Sequence, residues 1–168
     1  MADEVSSLRA LAHPVRLRML SLLTGAELSA AEVARELGLT HANASYHLRV
    51  LAEAGEVVEA GRERIRGGEA KRYRHHWDHP RPPSTDRRGH EQQVRAMAEE
   101  LVRRFRHRRP RSRTHLADAE VWVEPEPWRR AMALVAEAAA LVHSEARPPR
   151  TPGTVHVNLT SVMFELDA

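Results

Sequence analysis

SAAEVARELGLTHANASYHLRVLAEAGEVVEAGRERIRGGEAKRY, residues 29–73, is the stretch whose reading decides the fold. It opens on Ser29-Ala-Ala-Glu32, the pattern of a capping box. In that box the Ser29 hydroxyl accepts from the Glu32 N–H while the Glu32 side chain reaches back. Ala31, Val33, Ala34 and Leu37 give the short helix an apolar face, and Gly38 suits the left-handed position just past its end. Thr40 can cap a second helix, in which Ala44, Leu48, Leu51 and Ala52 recur at helical spacing until Gly55 stops it.

At about 100° per residue those four apolar side chains share one side of the second helix. Asn43, Tyr46, Arg49 and Glu53 fall on the other, Ser45 and His47 on the flanks, and His41 in the first turn. A helix that only fills a core has no use for that polar row near its N-terminal end. A helix that enters the major groove does, because Asn, His, Ser and Arg all hydrogen-bond to base edges. Asn43 is a candidate for adenine and Arg49 for guanine or a phosphate. The competing reading is an ordinary solvated helix face.

The flanking sequence decides between them. Residues 5–11 form a short amphipathic helix with Leu8 and Leu11 inward, and His13-Pro14 breaks it. Pro14 then suits the first position of a helix over 14–24, apolar almost all round. Downstream, Val57 and Val58 begin a strand, Gly67-Gly68 offers a two-residue hairpin turn, and residues 70–75 return. Helices followed by an arginine-rich hairpin make a winged helix-turn-helix. Its wing would lay Arg64, Arg66, Lys71, Arg72 or Arg74 on phosphates or in the adjacent minor groove.

Charge is segregated along the 168 residues. Residues 1–61 carry a net −3, residues 62–80 a net +3, residues 81–113 a net +7 and residues 114–168 a net −4. Positive charge thus lies where a nucleic-acid footprint would be built. Lys71 is the sole lysine, so a genomic preference for arginine codons weakens any argument from arginine number alone. With no cysteine there is neither a disulfide nor a thiolate metal ligand. No apolar run approaches the ~18 residues of a membrane span, and the acidic start lacks a basic signal region. A cytoplasmic protein with no membrane partner is expected.

LAHPVRLRMLSLL, then EVARELGLTHANASYHLRVLAEAGEVVE, then the wing closing on KRYR, resembles the ArsR-type winged-helix repressors of bacteria. The resemblance covers residues 5 to about 77. It implies a homodimer on a palindromic operator of double-stranded DNA, released by a signal. It carries the recognition segment onto His41, Asn43, Ser45, Tyr46, His47 and Arg49. The family's usual metal ligands are missing: the helix before the recognition helix has no cysteine, and residues 90–107 offer only His90 and His107, without paired ligands. Metal sensing is therefore not carried over, and no cofactor or metal is expected. His75, His76 and His79, spaced H-H-x-x-H, leave a metal-responsive repressor with non-standard ligands as an alternative. A solvated basic strand end is the favoured reading.

Residues 1–79 thus form the DNA-binding domain, and the proline-rich residues 80–88 a linker. Residues 89–113 form a long helix with a basic end. Val94, Met97, Ala98, Leu101, Val102 and Phe105 make a stripe along it. Pairing with its copy is the economical use of that stripe, with Leu8, Leu11, Val94, Met97, Leu101 and Phe105 as the dimer interface. Residues 114–168 read as a strand (119–124), a helix with Pro127 at its first position, and a second strand (154–166) with a slip near Thr160-Ser161. The whole is α+β: winged helix-turn-helix, dimerisation helix and C-terminal βαβ appendage. Such tails resemble those of longer members of the family. They serve either as a pocket for a small-molecule inducer, here lined by Trp122, Trp128, Met132 and Phe164, or as a dimer-stabilising cap.

The leading function is a sequence-specific transcriptional regulator, a repressor acting as a homodimer. The rival is a protein-interaction module, which has no need of so basic a wing. An enzyme is not expected, since no nucleophile–base order, phosphate-binding glycine loop or carboxylate pair is recognisable.

Overall fold

A computed structural model describes residues 2–65, 68–79 and 84–167, without the side chains of residues 2–6. Six helices and three strands follow in the order α1 (Ala2–Leu11), α2 (Pro14–Thr24), β1 (Leu28–Ser29), α3 (Ala30–Leu37), α4 (His41–Glu53), β2 (Val57–Ile65), β3 (Gly68–His75), α5 (Arg87–Arg106) and α6 (Pro125–Ser144). The strands form one antiparallel sheet in the order β1-β3-β2. This is the expected α+β winged architecture.

Local chemistry sets the helix ends. Pro14 opens α2, and His13 before it is extended, with Nδ1 accepting from the Val15 N–H at 3.2 Å. Arg16 folds back to donate to the carbonyls of Arg9 and Ala10 at the end of α1, at 2.6 and 2.5 Å. The capping box of α3 is complete: the Ser29 N–H donates to Glu32 Oε2 at 2.8 Å and the Ser29 hydroxyl accepts from the Glu32 N–H at 3.4 Å. Gly38, at φ 65°, ends α3 in the left-handed region where a side chain is strained. Thr40 Oγ1 accepts from the Asn43 N–H at 3.2 Å to start α4. Ser29→Ala is expected to lower the unfolding free energy by about 1 kcal/mol, read by urea denaturation; no change would mean that the box is dispensable.

The core gathers Leu11, Met19, Leu20, Leu23, Val33, Ala44, Leu48, Leu51 and Val57 between α2, α3, α4 and the sheet. Helix α5 docks on this unit rather than standing apart. Ala96 is buried, and Glu100, 3% exposed, pairs with Arg18 of α2 at 3.7 Å and with Arg103 and Arg104 on its own helix. Gly89 lets α1 approach, since a Cβ there would lie 3.1 Å from Leu8 Cδ1. Leu8 and Leu11 are accordingly buried within their own chain, at 8% and 4% exposure. They cannot offer themselves to a partner as expected: Leu8 packs against α5 and Leu11 belongs to the core of the winged unit.

Three more expectations are corrected. Gly68 pairs with Ile65 and begins the return strand, so it is a strand residue rather than half of the expected turn, and Gly67, the other half, lies outside the described residues. Helix α6 begins at Pro125 rather than Pro127. Residues 119–124 and 154–166 carry no strand among the described residues: the helix of the βαβ reading is present, its two strands are not. Their alternation is real, but a ladder needs a neighbouring edge, and neither segment pairs with the sheet's edges, β1 and β2. Residues 80–83 of the linker and Arg66 lie outside the described residues.

Candidate nucleic-acid interface

Helix α4 shows its polar row to solvent. His41, Asn43, Tyr46 and Arg49 are exposed, Ser45 is half-buried, and Ala44, Leu48 and Leu51 are fully buried on the opposite side. The Thr40 cap takes only the backbone N–H of Asn43, and no side-chain partner engages its amide among the described residues. These groups are free to hydrogen-bond outward near the N-terminal end of the helix, where a recognition helix touches base edges.

His47 departs from that row. It is 6% exposed and its ring lies 4.8 Å from that of His13, with Tyr46 edge-on at 5.2 Å. A helical wheel places it on a flank, but α2 crosses there and covers it, so it is a support beneath the reading face rather than a base contact. Burial first, then His13 and Arg16, hold the His47 imidazole below its ordinary 6.5. Burial, then Arg16 and Arg18, do the same for His13, opposed by Glu99. Both rings therefore favour the neutral form in the folded chain, and unfolding takes up protons as the pH drops below 6.5. Their contribution is complete above 6.5 and is lost as pH falls toward the folded values. Melting temperature is expected to drop between pH 7.5 and pH 5.5 by more in the wild type than in His47→Gln. Equal drops would remove His47 from the account.

The wing separates into two kinds of cation. Arg72 is a clamp: its guanidinium donates to Glu63 at 2.6 Å, to Glu32 at 3.2 Å and to the Glu27 carbonyl. It ties β3 to the start of α3 and is committed inside the protein, contrary to its expected phosphate role. Burial pushes the Glu32 carboxyl up, but the Ser29 donors and Arg72 outweigh it and hold the group below its ordinary value. Lys71 pairs with Glu59 at 2.9 Å, as does Arg62 at 2.8 Å. These pairs are exposed and worth little, so Lys71 can exchange its partner for a phosphate. Arg64 and Arg74 are exposed and have no ion-pair partner among the described residues. Arg64 sits opposite Glu69 near the wing tip, and Arg74 opposite Val58 at its base.

Sequence reasoning missed β1, whose two residues pair with Tyr73 and Arg72 and bolt the wing to the helical unit. Two residues carry no alternation to detect. It also missed the Glu100 cluster, which depends on partners far apart in sequence.

The histidines near the wing's exit do not converge. His75 Nδ1 lies 2.8 Å from Thr24 Oγ1 and its ring 6.4 Å from that of His143, whereas His76 stacks on His79 at 4.8 Å. Among the described residues no group of three or more His, Asp or Glu side chains is placed to hold a metal ion. The expected tail pocket does not assemble either. Trp122 is 91% exposed, and neither the cleft of about 410 Å³ between α5 and α6, lined by Val94, Met97, Met132, Val135 and Val162, nor the groove of about 450 Å³ between Trp77 and α6 includes Trp122, Trp128 or Phe164.

No helix among the described residues is long and apolar enough to cross a membrane. No curated protein matches the chain. A family model described as a helix-turn-helix domain matches residues 11–58, from the end of α1 through α4 to the first residues of β2. With the antiparallel wing beside it, that match supports a winged helix-turn-helix regulator of transcription that binds DNA.

Proposed function

We propose that the chain is a sequence-specific repressor similar to the ArsR-type regulators, binding a palindromic operator as a homodimer. The observation that carries the reading is the exposed polar row of α4 above a fully buried apolar face. In it Asn43 and Arg49 read bases, His41, Ser45 and Tyr46 contact bases or backbone, and Arg64, Arg74 and Lys71 track phosphates. Arg66, at the wing tip in sequence, joins them by its type. The α5 side facing away from α1 and α2 carries Val94, Ala98, Leu101 and Phe105 at the spacing of a coiled-coil seam, all exposed. Pairing two such seams supplies the two-fold that a palindrome requires, with Met97 at the margin. An inducer, if the protein responds to one, fits the apolar cleft between α5 and α6, whose size matches a small organic molecule.

Selection from a pool of random duplexes tests the reading. An inverted repeat with half-sites about one helical turn apart, roughly 34–36 Å, is the expected product. Failure to enrich any motif overturns it. On the selected duplex, Arg64→Gln and Arg74→Gln should each reduce the salt slope of log affinity by about 0.9. A slope unchanged in both would take the wing off the DNA.

A further inference from the structure

Helix α6 is apolar on nearly every side: from Trp128 to Val142 only Arg129, Arg130 and Glu137 are charged. A helix of that composition belongs inside a core. In the single chain none of its residues is buried. Trp128, Ala131, Val135 and Ala139 are half-covered by their own chain, while Leu134 and Leu141, which line an open groove with Trp77, are still 57% and 63% exposed. The flanking strips 115–124 and 154–167 run without a ladder, although Val155, Val157 and Leu159 alternate with His156 and Asn158 as in a half-buried strand.

Fourteen large apolar side chains between Leu116 and Leu166 are 39% or more exposed. Together they offer on the order of 1,000 Å² of apolar surface, beyond the largest patch of an ordinary monomer and comparable with one side of a stable interface.

We propose that a second copy of this chain covers that surface, so that α6 and its two flanking strips lie across the partner's α5 and basic arm, reciprocally about the two-fold. The proposal rests on the homodimer reading above and assigns it a second, larger contact. Two observations choose a second copy as the occupant. The surface is continuous with the exposed seam of α5, because Val94 and Met97 share one cleft with Met132, Val135 and Val162. The charges are also self-complementary: residues 114–168 carry −4 and residues 81–113 carry +7. Within one chain that complementarity is barely used. Arg87 meets Asp167 at 2.9 Å, but Arg106, Arg108, Arg109, Arg111 and Arg113 have no ion-pair partner among the described residues. A two-fold brings each acidic tail to the other copy's basic arm.

Sedimentation equilibrium of the full chain tests this with two exposed double variants, Leu134→Glu/Leu141→Glu on α6 and Leu101→Glu/Phe105→Glu on α5. The wild type is expected to be a dimer, and the α6 variant should raise the dimer dissociation constant by at least about 30-fold. Acrylamide quenching of the Trp122 emission, isolated by difference from Trp122→Phe, should weaken as concentration rises and the dimer forms. A wild-type dimer undisturbed by the α6 changes but dissociated by the α5 changes overturns the tail contact and leaves the homodimer standing. A wild type that stays monomeric overturns both. Trp122 quenching that is the same in monomer and dimer also overturns the tail contact, and does so without relying on any variant's folding.

Discussion

Asn43→Ala combined with Arg49→Ala is expected to lower affinity for the selected operator by about 100- to 1,000-fold, while non-specific binding falls only by the share of one lost cation. Two base contacts worth about 1.5–2 kcal/mol each, the middle of the range for a good base-edge pair, account for that loss. The fold should be untouched. Both side chains are exposed, the α4 cap uses the Asn43 backbone rather than its amide, and alanine is the better helix former. Fluorescence anisotropy with operator and scrambled duplexes separates the two losses. Equal loss on both would make these residues phosphate ligands at most. An unchanged operator affinity would remove α4 from the interface.

The largest effect on stability is expected from Leu51→Ala. Leu51 is fully buried, one helical turn from Leu48 and within the core formed with Met19, Leu23 and Val57. Truncating such a leucine costs about 2–5 kcal/mol, out of a total that for a domain is about 5–15 kcal/mol. The same core holds α4 in place, so DNA affinity should fall once the variant is partly unfolded and recover when temperature is lowered. Urea unfolding followed by circular dichroism reads the first effect. A loss below about 1 kcal/mol would mean that the site collapses around the cavity, and that the buried face of α4 is less decisive than its exposure pattern implies.

Most of the winged unit was legible because its signals are local. Ser29 with Glu32, Gly38, and Thr40 three residues before Asn43 mark helix ends within a few residues of themselves, and each stands where its chemistry demanded. What escaped depends on tertiary partners. His47 looked like a reading residue on a wheel and is instead covered by α2 and His13. Arg72 looked like a phosphate ligand and is consumed by Glu32, Glu63 and the Glu27 carbonyl, of which only Glu63 belongs to the hairpin. Leu8 and Leu11 looked available to a partner, but α5 returns over Leu8, and Leu11 is taken up in the core with Met19 and Leu48. In the tail the period-two pattern of Val155, Val157 and Leu159 was visible, yet a pattern specifies a face and not the edge that pairs with it. Within a single chain no edge pairs with it among the described residues, so the face that suggested a βαβ unit is left for a second copy to cover.

Readout by α4 stands or falls on a specificity ratio. The full chain, titrated at physiological salt against the selected inverted repeat and against a scrambled duplex of equal length and composition, should bind the repeat at least ~1,000-fold more tightly. Equal affinity for the two duplexes would contradict sequence reading by Asn43 and Arg49 and leave only a basic surface that holds any DNA.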